Sequence, residues 1–491
     1  MWIDLNSADE FRFADSYDVC VCGSGPAGIT VARRLKDAGA RVLLLEAGGL
    51  EWSEESQSVY AGQSIGPIQY WGVEACRLRY FGGTSNHWTG MCTRFDEIDF
   101  EDRGIWEVPG WPISFQDVYQ YEDEAREIVD IGFKPFERRV DNIWRGDRLI
   151  PARAAMSPPT RFGEKYKAEL ENAGNLDVAI NANVLDVRLD PDKRAVREVI
   201  VSNYAGKTFS VAPKFTVIAF GAMENARFLL NARSDVEAGL GNHSDFVGRC
   251  FMEHFNATLG RFVDLGAEIW ARGEGYNFNP TAETLRRLGA GSSLLTFHPS
   301  TQPKFFGRLA PLRKAMREMT CSSDILLSHA RRNGEVVCAG DGSVTTIMEQ
   351  APNRSSRVML DPNARDRFGR PRLQLDWRIN DQDLKTLRTL AEEAGRTLAE
   401  QNIGRLRIAP EILDGGHPDL GMHCHHMGTT RMSASPRDGV VDGDCKVHGI
   451  ENLYIGGSSV YPTGGGCNPT FTIVCLALRL GDHIGGRLGL G

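Results

Sequence analysis

The chain lacks a positive charge excess, a long apolar run and any regular cysteine spacing. It has 56 Lys plus Arg against 64 Asp plus Glu, a formal net charge of −8. Nucleic-acid readers carry a basic stripe, so no nucleic-acid partner is expected. No apolar stretch approaches the ~20 residues of a helical membrane span, and none is predicted. Residues 1–13 have neither a basic nor an apolar leader segment, so no signal peptide is read there. The eleven cysteines are odd in number and scattered, several of them in apolar runs (Cys20, Cys22, Cys475). That pattern predicts free buried thiols and a cytoplasmic protein, with export on a signal-bearing partner left open. Cys20 and Cys22 fall on one side of a strand and are read as packing. Apolar content of 42% over 491 residues allows two or three domains with a sizeable core.

What is present is a nucleotide-type unit at residues 17–49. A short β-prone run from Val19 to Cys22 leads into Gly23-Ser24-Gly25-Pro26-Ala27-Gly28. Ile29, Ala32, Leu35 and Ala38 then repeat at helical spacing, Gly39 ends the helix, and Val42 to Leu45 forms a second strand ending at Glu46. Gly23 permits the turn, Gly25 clears space for a pyrophosphate, and Gly28 lets the helix approach the sheet. The helix N-terminus offers N–H groups to phosphate, and Glu46 can accept from a ribose. FAD is favoured over NAD, because Glu46 runs into Ala47-Gly48-Gly49, an ending that looks like a flavoprotein's.

A second glycine-rich loop, Gly82-Gly83-Thr84-Ser85-Asn86-His87-Trp88, follows a basic aromatic stretch. It can be a surface turn with an aromatic anchor or a wall for a flat ligand. A small antiparallel insertion is expected over 177–211, with strands at 177–180, 184–189, 195–201 and 206–211. The chain then returns in the strand 215–220, and Gly221 and Ala222 open a helix. Residues 245–410 carry no nucleotide motif. Strand-like pieces at 257–262, 336–339, 344–348, 356–360 and 372–377 suggest an antiparallel sheet, and 381–401 is an amphipathic helix. Residues 303–319 are basic and apolar, open to reading as a lid, a docking surface or an ordinary surface helix.

Residues 423–432 hold His423, His425 and His426, and Asn468-Pro469-Thr470 follow a glycine-rich turn. With no acidic partner beside the histidines, no metal role is assigned. An imidazole that takes a hydroxyl proton, opposite an amide that holds the oxygen, fits better.

These motifs together (GSGPAG with Glu46, GGTSNHW, FGAMENARFLL, HHMGTTRM and NLYIGGSSVYPTGGGCNPT) resemble the glucose–methanol–choline (GMC) family of FAD oxidoreductases. The loop at 82–89 is similar to that of pyranose 2-oxidase, and the branch resembles bacterial glycoside 3-oxidases. The resemblance implies that His425 and Asn468 are catalytic. It assigns Gly23, Gly25, Gly28, Glu46, Gly83, Asn86, His87, Val184, Gly221, Gly457, Pro469 and Thr470 to the cofactor. It makes FAD the cofactor, with His87 a candidate for covalent attachment. Gly456 stands where many members have Asp.

The expected fold is α/β: a Rossmann-like FAD-binding domain and a largely antiparallel-sheet substrate domain packed with helices. The FAD part is assigned to 12–100, 160–250 and 415–491, the substrate part to 101–159 and 251–414. The expected activity is FAD-dependent oxidation of a CH–OH group, favouring a ring secondary hydroxyl of a sugar or glycoside. Hydride would pass to flavin N5 with His425 as base, and O₂ or another acceptor would reoxidise the flavin. The alternatives are oxidation of an aryl or other primary alcohol, and a non-catalytic flavin-binding subunit. An oligomer is allowed.

Overall fold

The computed structural model describes residues 1–7, 12–14, 16–132, 146–264, 276–299, 309–332, 341–466 and 468–490. One sheet has six parallel strands in the order Trp2–Asp4, Leu176–Ile180, Val42–Leu45, Tyr17–Cys22, Pro213–Ile218 and Leu453–Ile455. Every residue of Val42–Leu45 is buried, as a parallel strand covered on both faces requires. The helix Pro26–Asp37 packs on the sheet through Ile29, Val31, Ala32 and Leu35, and the apolar helix Thr470–Arg487 lies along it.

Leu176–Ile180 corrects the sequence expectation. It was placed in the antiparallel insertion but pairs in parallel with Val42–Leu45 inside the main sheet. Four of its five residues are buried, as a strand covered on both faces requires. The insertion itself is a three-stranded antiparallel sheet of Asn183–Leu189, Val196–Ser202 and Thr208–Val211.

The second large sheet is antiparallel, in the order Gly404–Ile408, His254–Asp264, Asp341–Glu349, Ser293–Pro299, Tyr276–Pro280 and Leu149–Pro151. Asp341–Glu349 alternates buried and half-exposed residues along most of its length, so one face meets the core. Arg357–Arg365 pairs instead with Pro371–Asp376, which in turn pairs with Gly62–Ser64, in a small separate sheet. The helix Asp381–Glu400 begins in a capping box of Asn380 and Asp383 and buries Leu387, Leu390, Ala394 and Leu398. The strand expected at 336–339 and the start of the basic apolar segment, 303–308, lie outside the described residues. The rest of that segment falls in the helix Ala310–Cys321, with Leu312, Met316 and Met319 exposed. No helix of the described residues is long and apolar enough to cross a membrane.

The strand, turn and helix at the N-terminus fit with no slack. Gly23 has φ +108°, and a Cβ on Gly28 would lie 1.8 Å from the Gly23 carbonyl oxygen. Gly28→Ala therefore has to lift the helix from the sheet, at a cost of about 1–3 kcal/mol or more. The expected result is a lower Tm and loss of the yellow cofactor on gel filtration. Retention of both would show that the helix approach is not limiting.

Candidate functional site

A cavity of about 430 Å³ opens at the carboxyl ends of the parallel strands, where open α/β sheets bind ligands. It is lined by Gly23, Gly25, Glu46, Gly83, His87, Val184, Gly221, Gly457, His425, Asn468, Pro469 and Thr470. Two of the residues assigned to the cofactor do not line it. Gly28 lies under the turn, packed on Gly23, and Asn86 donates from Nδ2 to the Phe81 carbonyl at 2.9 Å, stapling its own loop.

The cradle suits a dinucleotide. A Cβ on Gly25 would meet nothing within 4 Å, so that glycine borders open space ahead of the helix Pro26–Asp37. Gly83 stands over it, 3.1 Å from its added Cβ to the Gly25 Cα. Ser24 ties three parts together: its hydroxyl donates to Glu46 Oε2 at 2.5 Å and accepts from the Gly82 amide at 3.1 Å. Among the described residues Glu46 Oε1 takes only the Gly48 amide, at 2.8 Å, and keeps capacity for a ribose hydroxyl. The partly exposed His87 ring faces the cavity, hydrogen-bonded to no other described residue, and partial desolvation with the nearby Arg161 charge lowers its pKa. Arg161 and the Thr160 carbonyl hold the loop around it, through Ser85 O and the Trp88 indole.

A second cavity of about 760 Å³ lies against the antiparallel sheet, with Thr93, Asp96, Phe115, Arg153, Tyr276, Asn277 and Asn279 on its wall. His425, Asn468 and Met91 line both cavities. His425 Nε2 and Asn468 Nδ2 are 3.3 Å apart, and Thr93 Oγ1 accepts from the Asn468 backbone N–H at 2.9 Å. Thus the predicted pair sits where the two spaces meet.

The three histidines differ in their contacts. Burial lowers the pKa of each, well below the usual value for His425 and to about 3 for His426, so the rings are neutral at neutral pH. His426 Nε2 lies 2.7 Å from the Tyr70 hydroxyl, which donates to Glu253 Oε2 at 2.7 Å. His423 Nε2 is buried without a hydrogen bond among the described residues.

Sequence reasoning missed several supporting groups. Glu253 is buried, and its Oε1 accepts from the backbone amides of His425, at 2.7 Å, and His254, at 2.9 Å. His254 places Nδ1 3.0 Å from His425 Nδ1. The available signal was two titratable residues in an otherwise apolar run, Phe251-Met252-Glu253-His254-Phe255. The cysteine expectation is also corrected. Cys76 and Cys424 form a disulfide across 348 residues, beside His425. Spacing could not reveal it, because the two meet only after the sheets are assembled. Cys20, Cys22, Cys92, Cys250, Cys445 and Cys475 are free and buried.

Known proteins bear out the class of this site. Residues 18–322 match the family model described as FAD dependent oxidoreductase, and residues 352–477 match that of GMC oxidoreductase. The chain belongs to the GMC family of FAD-dependent oxidoreductases. Its relatives include a C-glycoside 3-oxidase of Microbacterium trichothecenolyticum, 33% identical over 82% of this chain and 74% of that one. A 2-methyl-1,2-propanediol dehydrogenase of Mycolicibacterium austroafricanum is 25% identical over 96% of both chains. Among solved structures, pyridoxine 4-oxidase from Mesorbium loti shares the fold, with a TM-score of 0.61 at 15% identity over 95% of this chain and 99% of that one.

Burial raises the Glu253 carboxyl to about 7, and its hydrogen bonds offset only part of this. A carboxyl raised on folding stabilises most below its unfolded pKa, and the benefit is lost as pH rises through the folded value. Between about pH 4.5 and 7 the loss amounts to about 3 kcal/mol. Glu253→Gln removes this titration, so its Tm should fall less than the wild-type Tm between pH 5 and 7.5. Parallel Tm curves would exclude Glu253 as the titrating group.

Proposed function

We propose that this enzyme oxidises a ring secondary hydroxyl of a sugar or glycoside to a keto sugar, with His425 as the base and Asn468 as the group that orients the reacting oxygen. The observation that carries the proposal is the position of this pair at the junction of the two cavities. A neutral His425 imidazole can take the hydroxyl proton, and the Asn468 amide can donate to the alkoxide as its charge develops. FAD held in the first cavity would supply the hydride acceptor for the same carbon. The low-dielectric surroundings of the largely buried His425 strengthen each of these contacts.

Gly23, Gly25, Glu46, Gly83, Val184, Gly221, Gly457, Pro469 and Thr470 are assigned to hold FAD, and His87 is the candidate attachment residue. The parallel sheet with its cavity forms the FAD part and the antiparallel sheet the substrate part, divided as the sequence suggests. The second cavity supports a sugar. Its side chains mix hydrogen-bonding groups (Asp96, Arg153, Asn277, Asn279) with the aromatic rings of Phe115 and Tyr276. The oxidation of glycosides named for the Microbacterium relative points the same way. O₂ or another acceptor would serve as the final oxidant.

His425→Ala should retain FAD but reduce it ~10²–10⁴-fold more slowly in anaerobic stopped flow with a pyranoside. A variant that reduces at the wild-type rate would take His425 out of the base role.

A further inference from the structure

We infer, on the reading of His425 as the base, that His254 is a positioning residue that fixes the His425 tautomer and leaves Nε2 bare toward the substrate. The basis is a chain of contacts that admits one arrangement of protons. The His254 ring is fully buried at the start of the strand His254–Asp264. Its Nε2 faces two carbonyl oxygens, Gly465 O at 2.6 Å and Gly464 O at 3.1 Å. Carbonyl oxygens only accept, so His254 Nε2 carries hydrogen.

A neutral imidazole has one N–H, which leaves His254 Nδ1 as an acceptor. His425 Nδ1 is 3.0 Å away and must supply the proton between them. His425 Nε2 is then bare and accepts from Asn468 Nδ2 at 3.3 Å. The reverse assignment sets the bare Nε2 of His254 against two carbonyl oxygens in a buried site, which is costly. Burial holds His254 neutral, with its pKa lowered to about 4.

The carbonyl that starts the chain is itself fixed. Glu349 Oε1 accepts from the Gly465 amide at 2.8 Å, and its Oε2 accepts from the Ser292 amide at 2.9 Å and pairs with Arg103 at 3.2 Å. The antiparallel sheet, which supplies His254 and Glu349, thus sets the proton position on a residue of a distant loop.

The test compares His254→Leu, which removes the acceptor, with His254→Asn, whose Oδ1 can replace Nδ1. The first readout is the ¹⁵N spectrum of histidine-labelled holoenzyme, with His425 assigned by its loss in His425→Gln. The expected wild-type spectrum has His425 protonated at Nδ1 and bare at Nε2. That signature should be lost in His254→Leu and return in His254→Asn. The second readout is anaerobic flavin reduction by methyl glucopyranoside. It should fall about 10²-fold or more in His254→Leu with FAD retained, and recover to within about tenfold in His254→Asn; a wrong tautomer costs a hydrolase triad up to about 10⁴-fold. A wild-type spectrum with the proton on Nε2, or an unchanged tautomer in His254→Leu, overturns the inference. So does equal impairment of both variants, which would mean packing alone. If His254→Leu reduces normally while His425→Ala does not, the inference fails and the base reading stands. If His425→Ala reduces normally, the base reading fails.

Discussion

One buried carboxylate holds the segment 423–426 in place. Residues 423–426 form no regular secondary structure, so no ladder of backbone hydrogen bonds fixes them. Glu253 does that work by accepting from the His425 and His254 amides and the Tyr70 hydroxyl. Burying a charge is costly unless it is fully hydrogen-bonded, and these donors offset the cost only in part, as its raised pKa shows. The return is that three distant stretches of chain meet at one point. The Cys76–Cys424 disulfide adds a covalent tie one residue from His425, where Cys424 sits in the left-handed backbone region at φ 60°.

The two sheets divide the labour. The parallel sheet ends in the turns at Gly23, Gly221 and Gly457, which wall the first cavity. The antiparallel sheet backs the second cavity and supplies His254 and Glu349. Asn225 joins the turns, accepting from the Phe220 amide and donating to Gly456 O and Ser459 Oγ. Asn225 and its neighbours therefore tie the Gly221 turn to the C-terminal one, and His425 and Asn468 border both spaces.

Much of this was legible from the sequence, because the cofactor frame is built from local signals. Gly23 and Gly28 each answer a steric demand of the strand–turn–helix unit, and Gly25 borders open space ahead of its helix. The long helices follow their apolar period. The pair His425 and Asn468 was legible by resemblance of motif. The groups that act on the pair were not, because their partners are far along the chain. His254 and His425 are 171 residues apart, and Tyr70 and His426 are 356 apart. Leu176–Ile180 was misplaced for the same reason: a short apolar strand does not state which neighbour it joins.

The most direct measurement of the central claim is anaerobic bleaching of the bound flavin by a panel of pyranosides, glycosides and benzylic alcohols. The account predicts rapid bleaching by a pyranoside, a ring ketone as product, and a slower rate when the reacting C–H is deuterated. FAD that stays oxidised with every hydroxyl donor in the panel would contradict it.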